Sequence, residues 1–199
     1  MILERKWMRF NQYITEKRTN NVIIVDIQPE YSGYIRFMDK FTSFLNNQRR
    51  ILCFYNGSDV GSNDKEIDII EYFIDNGLDE NKAYKDIKYI EKGYGFFRGW
   101  MDGGVDPGTI KKAIRFMVSK KVNDSRDISR EEWTKKLGDI WSYASYDDPI
   151  YLPDIRINEL KRWSGSYLCG GGKDECLKEI QILFSVFNIK YILVKEFIY

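Results

Sequence analysis

Asn21–Ile27 reads NVIIVDI, a continuous apolar run that ends in an acid. A strand that must hide both faces has this signature, because helices cover a parallel sheet above and below. The pattern recurs along the chain. Ile51–Tyr55 is a second such run, closed by Asn56-Gly57, and Ile87–Ile90 is a shorter third. Tyr167–Gly170 is a fourth, and Lys190–Tyr199 reads as a terminal strand. Between them lie segments with helical spacing. Gly33–Asn47 carries Ile35, Phe37, Met38, Phe41, Phe44 and Leu45, and Asn63 precedes a helix through Ile74 with Glu66 as its capping-box partner and Gly77 as its stop. Asp106-Pro107 opens a helix to about Lys120, with Asp as N-cap and Pro at the first position. Ser129 and Glu132 form a capping box for a short helix ending at Gly138, Asp154–Trp163 is a further helical segment, and Asp174–Phe187 follows the fourth strand. Strands alternating with helices predict an α/β chain, a three-layer αβα Rossmann-like fold on a mostly parallel sheet of about five strands. Residues 1–199 are expected to form one such domain, in which 121–162 is the least regular, insertion-like stretch.

Composition narrows the chemistry. Basic and acidic side chains nearly balance, 31 against 30, so no global field attracts nucleic acid. No apolar run is long enough to span a membrane. The N-terminal stretch alternates charged with apolar residues, which is unlike a secretory leader. Three cysteines are too few for a disulfide framework, so a reducing, cytoplasmic setting is expected. Histidine is absent altogether. That removes Ser-His-Asp and Cys-His hydrolases and imidazole-based zinc sites, and leaves carboxylates, lysines, tyrosines and thiols.

Cys176 stands out by its setting. The segment Tyr167–Cys176 runs from a short strand through Gly170-Gly171-Gly172 into a helix start. A thiol in the first turn of a helix faces free backbone N–H groups and the positive end of the dipole, both of which favour thiolate. Ligands of open parallel sheets bind at the carboxyl ends of the strands, near the point where the strand order reverses. Asp26, Lys92 and Cys176 all fall at such ends. There the carboxylate can take the thiol proton, the ammonium can hold developing charge, and the helix N-terminus can supply oxyanion donors.

These three segments resemble the isochorismatase-like cysteine hydrolase superfamily. Val22-Ile-Ile-Val-Asp26-Ile-Gln28 resembles its first strand, with its Asp-x-Gln ending, and Glu91-Lys92-Gly-Tyr-Gly-Phe-Phe97 resembles its lysine segment. Cys169-Gly-Gly-Gly-Lys-Asp174-Glu-Cys176 resembles its nucleophile turn. The resemblance implies Cys176 as nucleophile, Asp26 as general base and Lys92 as charge stabiliser, with backbone N–H groups of Glu175 and Cys176 as the oxyanion hole. It also implies a small amide- or imide-like substrate and a covalent thio-intermediate, with no cofactor. The chain departs from the family in three places. The Lys92-to-Cys176 separation is longer than usual, Lys173 stands where a Thr is usual, and the metal ligands of the nicotinamidase branch are missing with the histidines.

Gly93–Asp106 (GYGFFRGWMDGGVD) concentrates glycines and aromatics and reads as a pocket wall. The substrate-facing set expected from these segments is Gln28, Tyr94, Phe97, Arg98, Trp100, Gly172, Asp174 and Glu175. Cys53 and Cys169 read as core. The expected partner is a small molecule, neither membrane nor nucleic acid, and a homo-oligomer is compatible with the sequence. Two other functions use the same fold. A Mg²⁺-dependent nuclease or phosphoesterase would gather Asp26, Asp59, Asp102 and Asp106 around the ion. A non-catalytic binding protein would fill the pocket instead.

Overall fold

A computed structural model describes residues 21–57, 65–92, 95–138, 149–153 and 156–199. Five strands, β1 (Asn21–Val25), β2 (Arg50–Tyr55), β3 (Ile87–Glu91), β4 (Ser166–Gly170) and β5 (Tyr191–Leu193), form one sheet in the order β3-β2-β1-β4-β5. Every pairing is parallel. The helices are α1 (Met38–Asn46), α2 (Lys65–Asp75), α3 (Glu80–Lys85), α4 (Arg98–Asp102), α5 (Pro107–Lys120), α6 (Arg130–Leu137), α7 (Ile157–Lys161) and α8 (Cys176–Phe187). The result is the three-layer Rossmann-like architecture that the alternating runs imply. Among the described residues no helix is long and apolar enough to cross a membrane.

Side chains of a strand alternate between faces, so the sheet builds two cores. Ile23, Val25, Leu52, Phe54 and Leu168 point to one side, where they meet α5, α6, α7 and α8 through Ile114, Trp133, Leu160 and Leu183. Val22, Ile24, Ile51, Cys53, Tyr167 and Cys169 point to the other, against Phe41 and Leu45 of α1 and Phe73 of α2. Cys53 and Cys169 are therefore core residues on the face opposite Cys176, which packs against the first cluster.

The local signals hold in most places. Asp106 caps α5 by accepting the Thr109 N–H at 3.0 Å, with Pro107 next. Ser129 and Glu132 form the capping box of α6, and Gly77 follows α2 at φ +93°. Two boundaries differ. The first helix begins at Met38, because Pro29–Tyr31 forms a separate 3₁₀ turn and no side chain caps a helix at Gly33. The final strand is only Tyr191–Leu193, since the chain turns into a 3₁₀ segment at Lys195–Phe197. Helix α4 forms within Gly93–Asp106, the segment expected from the sequence to be a pocket wall, and α3 adds a short helix capped by Asp79. The expected starts at Asn63 and Asp154 lie outside the described residues. The stretch expected to be insertion-like is integral to the first core, contributing buried Ile128, Trp133, Ile150 and Leu160.

The strand order reverses between β1 and β4, and a glycine makes the close approach there possible. Gly170 sits at φ +82°, and a Cβ on it would overlap the Val25 carbonyl oxygen. Gly170→Ala should therefore lower stability by roughly 3 kcal/mol, from backbone strain and overpacking combined. Urea denaturation checks this, and a loss below about 1 kcal/mol would show that the two strand ends can part without cost.

Candidate active site

Asp26 follows directly on β1, at the carboxyl edge of the central strand. Its φ of +49° is unusual for a residue with a Cβ. The backbone is fixed on both sides: the Asp26 N–H donates to the Phe54 carbonyl at 2.9 Å, and the Tyr199 hydroxyl donates to the Asp26 carbonyl at 2.7 Å. Lys92 follows on β3, two strands away, with its N–H donated to the Tyr55 carbonyl at 2.9 Å. The Lys92 side chain spans that distance and places Nζ 3.0 Å from Asp26 Oδ2. Both side chains are fully shielded from solvent.

A third ionisable group shares the ammonium. Glu179, in the first turn of α8, is 0% exposed, and its Oε2 lies 3.9 Å from Lys92 Nζ. Its Oε1 accepts the Phe97 N–H at 2.6 Å, which ties the loop after β3 to α8. Gly95 leaves room for this contact, since a Cβ there would lie 3.0 Å from Glu179 Oε1. Burial pushes the Glu179 carboxyl from 4.5 up to about 7, against the pull of the Lys92 charge and the Phe97 N–H. Burial pulls the Lys92 ammonium down, but the attraction of its acidic surroundings, Asp26 foremost, outweighs it and holds the ammonium above its ordinary value.

Cys176 is the first residue of α8, delivered by the glycine turn. Gly170 and Gly171 both adopt positive φ, and Gly172 turns the chain by accepting the Glu175 N–H at 3.1 Å and the Leu177 N–H at 3.3 Å. The thiol is partly buried and lies within the electrostatic reach of the Asp26 carboxylate. Asp26, Lys92 and Cys176 thus meet at the switch point, as their positions at the strand ends predict. The expectation of a thiolate at rest is overturned. Burial first, then the Asp26 charge, push the Cys176 thiol up to about 12, and the opposing effect of Lys92 is smaller. The resting thiol is neutral, and Asp26 is the group placed to remove its proton. The Glu175 N–H expected in the oxyanion hole is already committed to Gly172, which leaves the Cys176 N–H, at the first position of α8.

A cleft of about 530 Å³ opens over the thiol, lined by Tyr31, Tyr34, Arg98, Gly172, Glu175, Cys176 and Tyr199. Arg98, Gly172 and Glu175 thus lie where a pocket wall was expected. Arg98 Nε is 2.8 Å from Asp102 and its Nη1 3.4 Å from Glu175. The other expected residues lie elsewhere. Trp100 is 3% exposed in the core, its ring 6.3 Å from that of Trp133, because the apolar face of α4 is drawn inward. Phe97 is likewise core, and only its N–H serves the site. Gln28 is buried and bridges the β1 and β2 ends, its Oε1 accepting the Asn56 N–H at 2.9 Å and its Nε2 donating to the Asn56 carbonyl at 3.3 Å. Asp174 is exposed and does not line the cleft. Tyr94 lies outside the described residues. The stacked Tyr34–Tyr199 pair, centroids 6.4 Å apart, supplies aromatic surface that no sequence signal marks.

Among the described residues, the acids expected to gather around a metal are otherwise engaged. Asp102 pairs with Arg98, Asp106 caps α5, and Asp59 is outside the described residues. Among the described residues no three acids, cysteines or histidines cluster as a metal site would require. Compared with protein-family models, curated proteins and solved structures, the chain matches none.

Glu179 makes stability depend on pH. Its folded value of about 7 lies above the ordinary 4.5, so the folded state binds the proton more tightly. The stabilisation is complete below pH 4.5 and is lost as pH rises through about 7. Glu179→Gln should remove this component, which denaturation midpoints across that window will show.

Proposed function

We propose that this protein is a cysteine hydrolase of divergent isochorismatase-like type, acting on a small amide- or imide-like substrate through Cys176. One observation carries the reading: Asp26, Lys92 and Cys176, remote in sequence, come together beneath an open cleft, with Asp26 ion-paired to Lys92 at 3.0 Å and its charge acting on the thiol. The cleft volume of about 530 Å³ suits a small molecule, not a chain. All three cysteines are unpaired, which fits a reducing, cytoplasmic setting.

The chemistry follows from the charges. The Asp26 carboxylate removes the Cys176 proton as Sγ attacks the substrate carbonyl carbon, so that no free thiolate need persist in a buried, already anionic site. The carbonyl π pair moves onto oxygen, and that oxyanion is met by the Cys176 N–H and the nearby Lys92 ammonium. Collapse breaks the C–N bond, and the proton held by Asp26 passes to the leaving nitrogen. A water then gives its proton to Asp26 and attacks the thioester. Expulsion of Sγ, reprotonated from Asp26, releases the acid and restores the thiol.

A hydrolysis screen over small primary amides, cyclic imides and activated esters tests this. On any substrate found, Asp26→Asn should lower kcat by roughly 10²–10⁴-fold, the usual worth of a general base. Cys176→Ala should cost at least as much. Activity that survives in Cys176→Ala, or no turnover of any member by the native protein, contradicts the reading.

A further inference from the structure

The buried cluster holds one acid more than this chemistry needs. An acceptor for the Phe97 N–H requires no charge, since an amide oxygen would serve. Glu179 nevertheless places a carboxylate at 0% exposure, with Oε2 turned toward Lys92 and without a hydrogen-bond partner among the described residues. It lies three positions beyond Cys176, hence on the same face of α8. The groups that face it are Lys92 beyond β3, Asp26 beyond β1, Cys176 on its own helix, and the backbone of Phe96 and Phe97. The packed helix α5 contributes only apolar buried residues, Ile110, Ala113, Ile114 and Met117.

Charge bookkeeping across the cycle shows what the extra acid does. At rest Lys92 is neutralised by Asp26 at 3.0 Å. Once Asp26 takes the thiol proton it is neutral, and until it gives that proton to the leaving nitrogen the charge it balanced sits on the substrate as a transient oxyanion. In that interval a buried ammonium balanced only by the mobile substrate oxyanion would be drawn out of position, because an ion without a fixed partner in such a site is strongly disfavoured. We propose that Glu179 is a positioning residue for Lys92, the standing counter-ion that keeps the ammonium charged and in place while Asp26 holds the proton. It does not touch substrate; it acts through Lys92. The inference rests on Asp26 being the base, as argued above.

The test reads the Glu179 carboxyl directly and needs no substrate. The protein is labelled with ¹³C at the glutamate side-chain carboxyl and titrated by NMR, with the Glu179 signal assigned by its loss in Glu179→Gln. In wild type the signal should titrate near pH 7. Asp26→Asn imitates the state in which Asp26 carries a proton, and there the midpoint should fall by about one pH unit or more, because the Asp26 charge that raises it is gone while the Lys92 charge that lowers it remains. Lys92→Met should move it up by a similar amount. If one of these variants does not fold, the other still decides. Opposite displacements, or the single expected one, support the proposal. A midpoint that stays put shows that Glu179 serves only the Phe97 N–H and overturns it. An inert Cys176 alongside displaced midpoints would instead sink the hydrolase reading and leave the charge coupling standing.

Discussion

A single ammonium, buried between two carboxylates, organises the carboxyl edge of this sheet. Lys92 reaches from beyond β3 to Asp26 beyond β1, with Glu179 of α8 closing the third side. Removing one partner of a buried ion pair costs roughly 3–5 kcal/mol, because the other charge is left without water or counter-ion. Such a cluster exists only where strand order, register and helix placement agree. The parallel ladders bring Tyr55 and Phe54 to hold Lys92 and Asp26 by their backbones, and the glycine turn after β4 sets α8 against them.

The same cluster decides how the thiol can work. A helix N-terminus favours thiolate, but the effect is modest and Cys176 is partly buried beside Asp26. Asp26 already balances Lys92, and Glu179 adds negative charge as it ionises near pH 7, so a standing thiolate would add a further excess charge. Burial and Asp26 therefore win, and the thiol waits protonated. Chemistry of this kind passes the proton at the moment of attack. Under the proposed mechanism the arrangement would favour a substrate that brings an electrophilic carbonyl close to Sγ over indiscriminate reaction with electrophiles.

The fold was legible because its signals are local and redundant. Apolar runs mark strands buried on both faces, and the caps at Asp106 and Ser129 sit where the side chains accept backbone N–H groups. Asp26, Lys92 and Cys176 could be picked out because topology alone sends strand ends to one edge. Glu179 escaped notice although a signal was present: it stands in the apolar stripe of α8 among Ile180, Leu183 and Phe184, where an acid must have a reason. Trp100 misled for the opposite cause. A glycine-rich, aromatic segment reads as a pocket wall, but α4 forms there and turns the indole into the core against Trp133. The tyrosines of the cleft come from separate segments, and only tertiary contact unites Tyr34 with Tyr199.

Whether Cys176 forms a covalent bond with a carbonyl substrate is the decisive question, and acid-quenched intact-mass spectrometry with peptide mapping answers it most directly. Exposure to an activated acetyl ester should give a single acetyl adduct on Cys176 that hydroxylamine removes and that forms more slowly in Asp26→Asn. An adduct that persists in Cys176→Ala, or one that falls on Cys53 or surface lysines and leaves Cys176 unmodified, would contradict a cysteine nucleophile at this site.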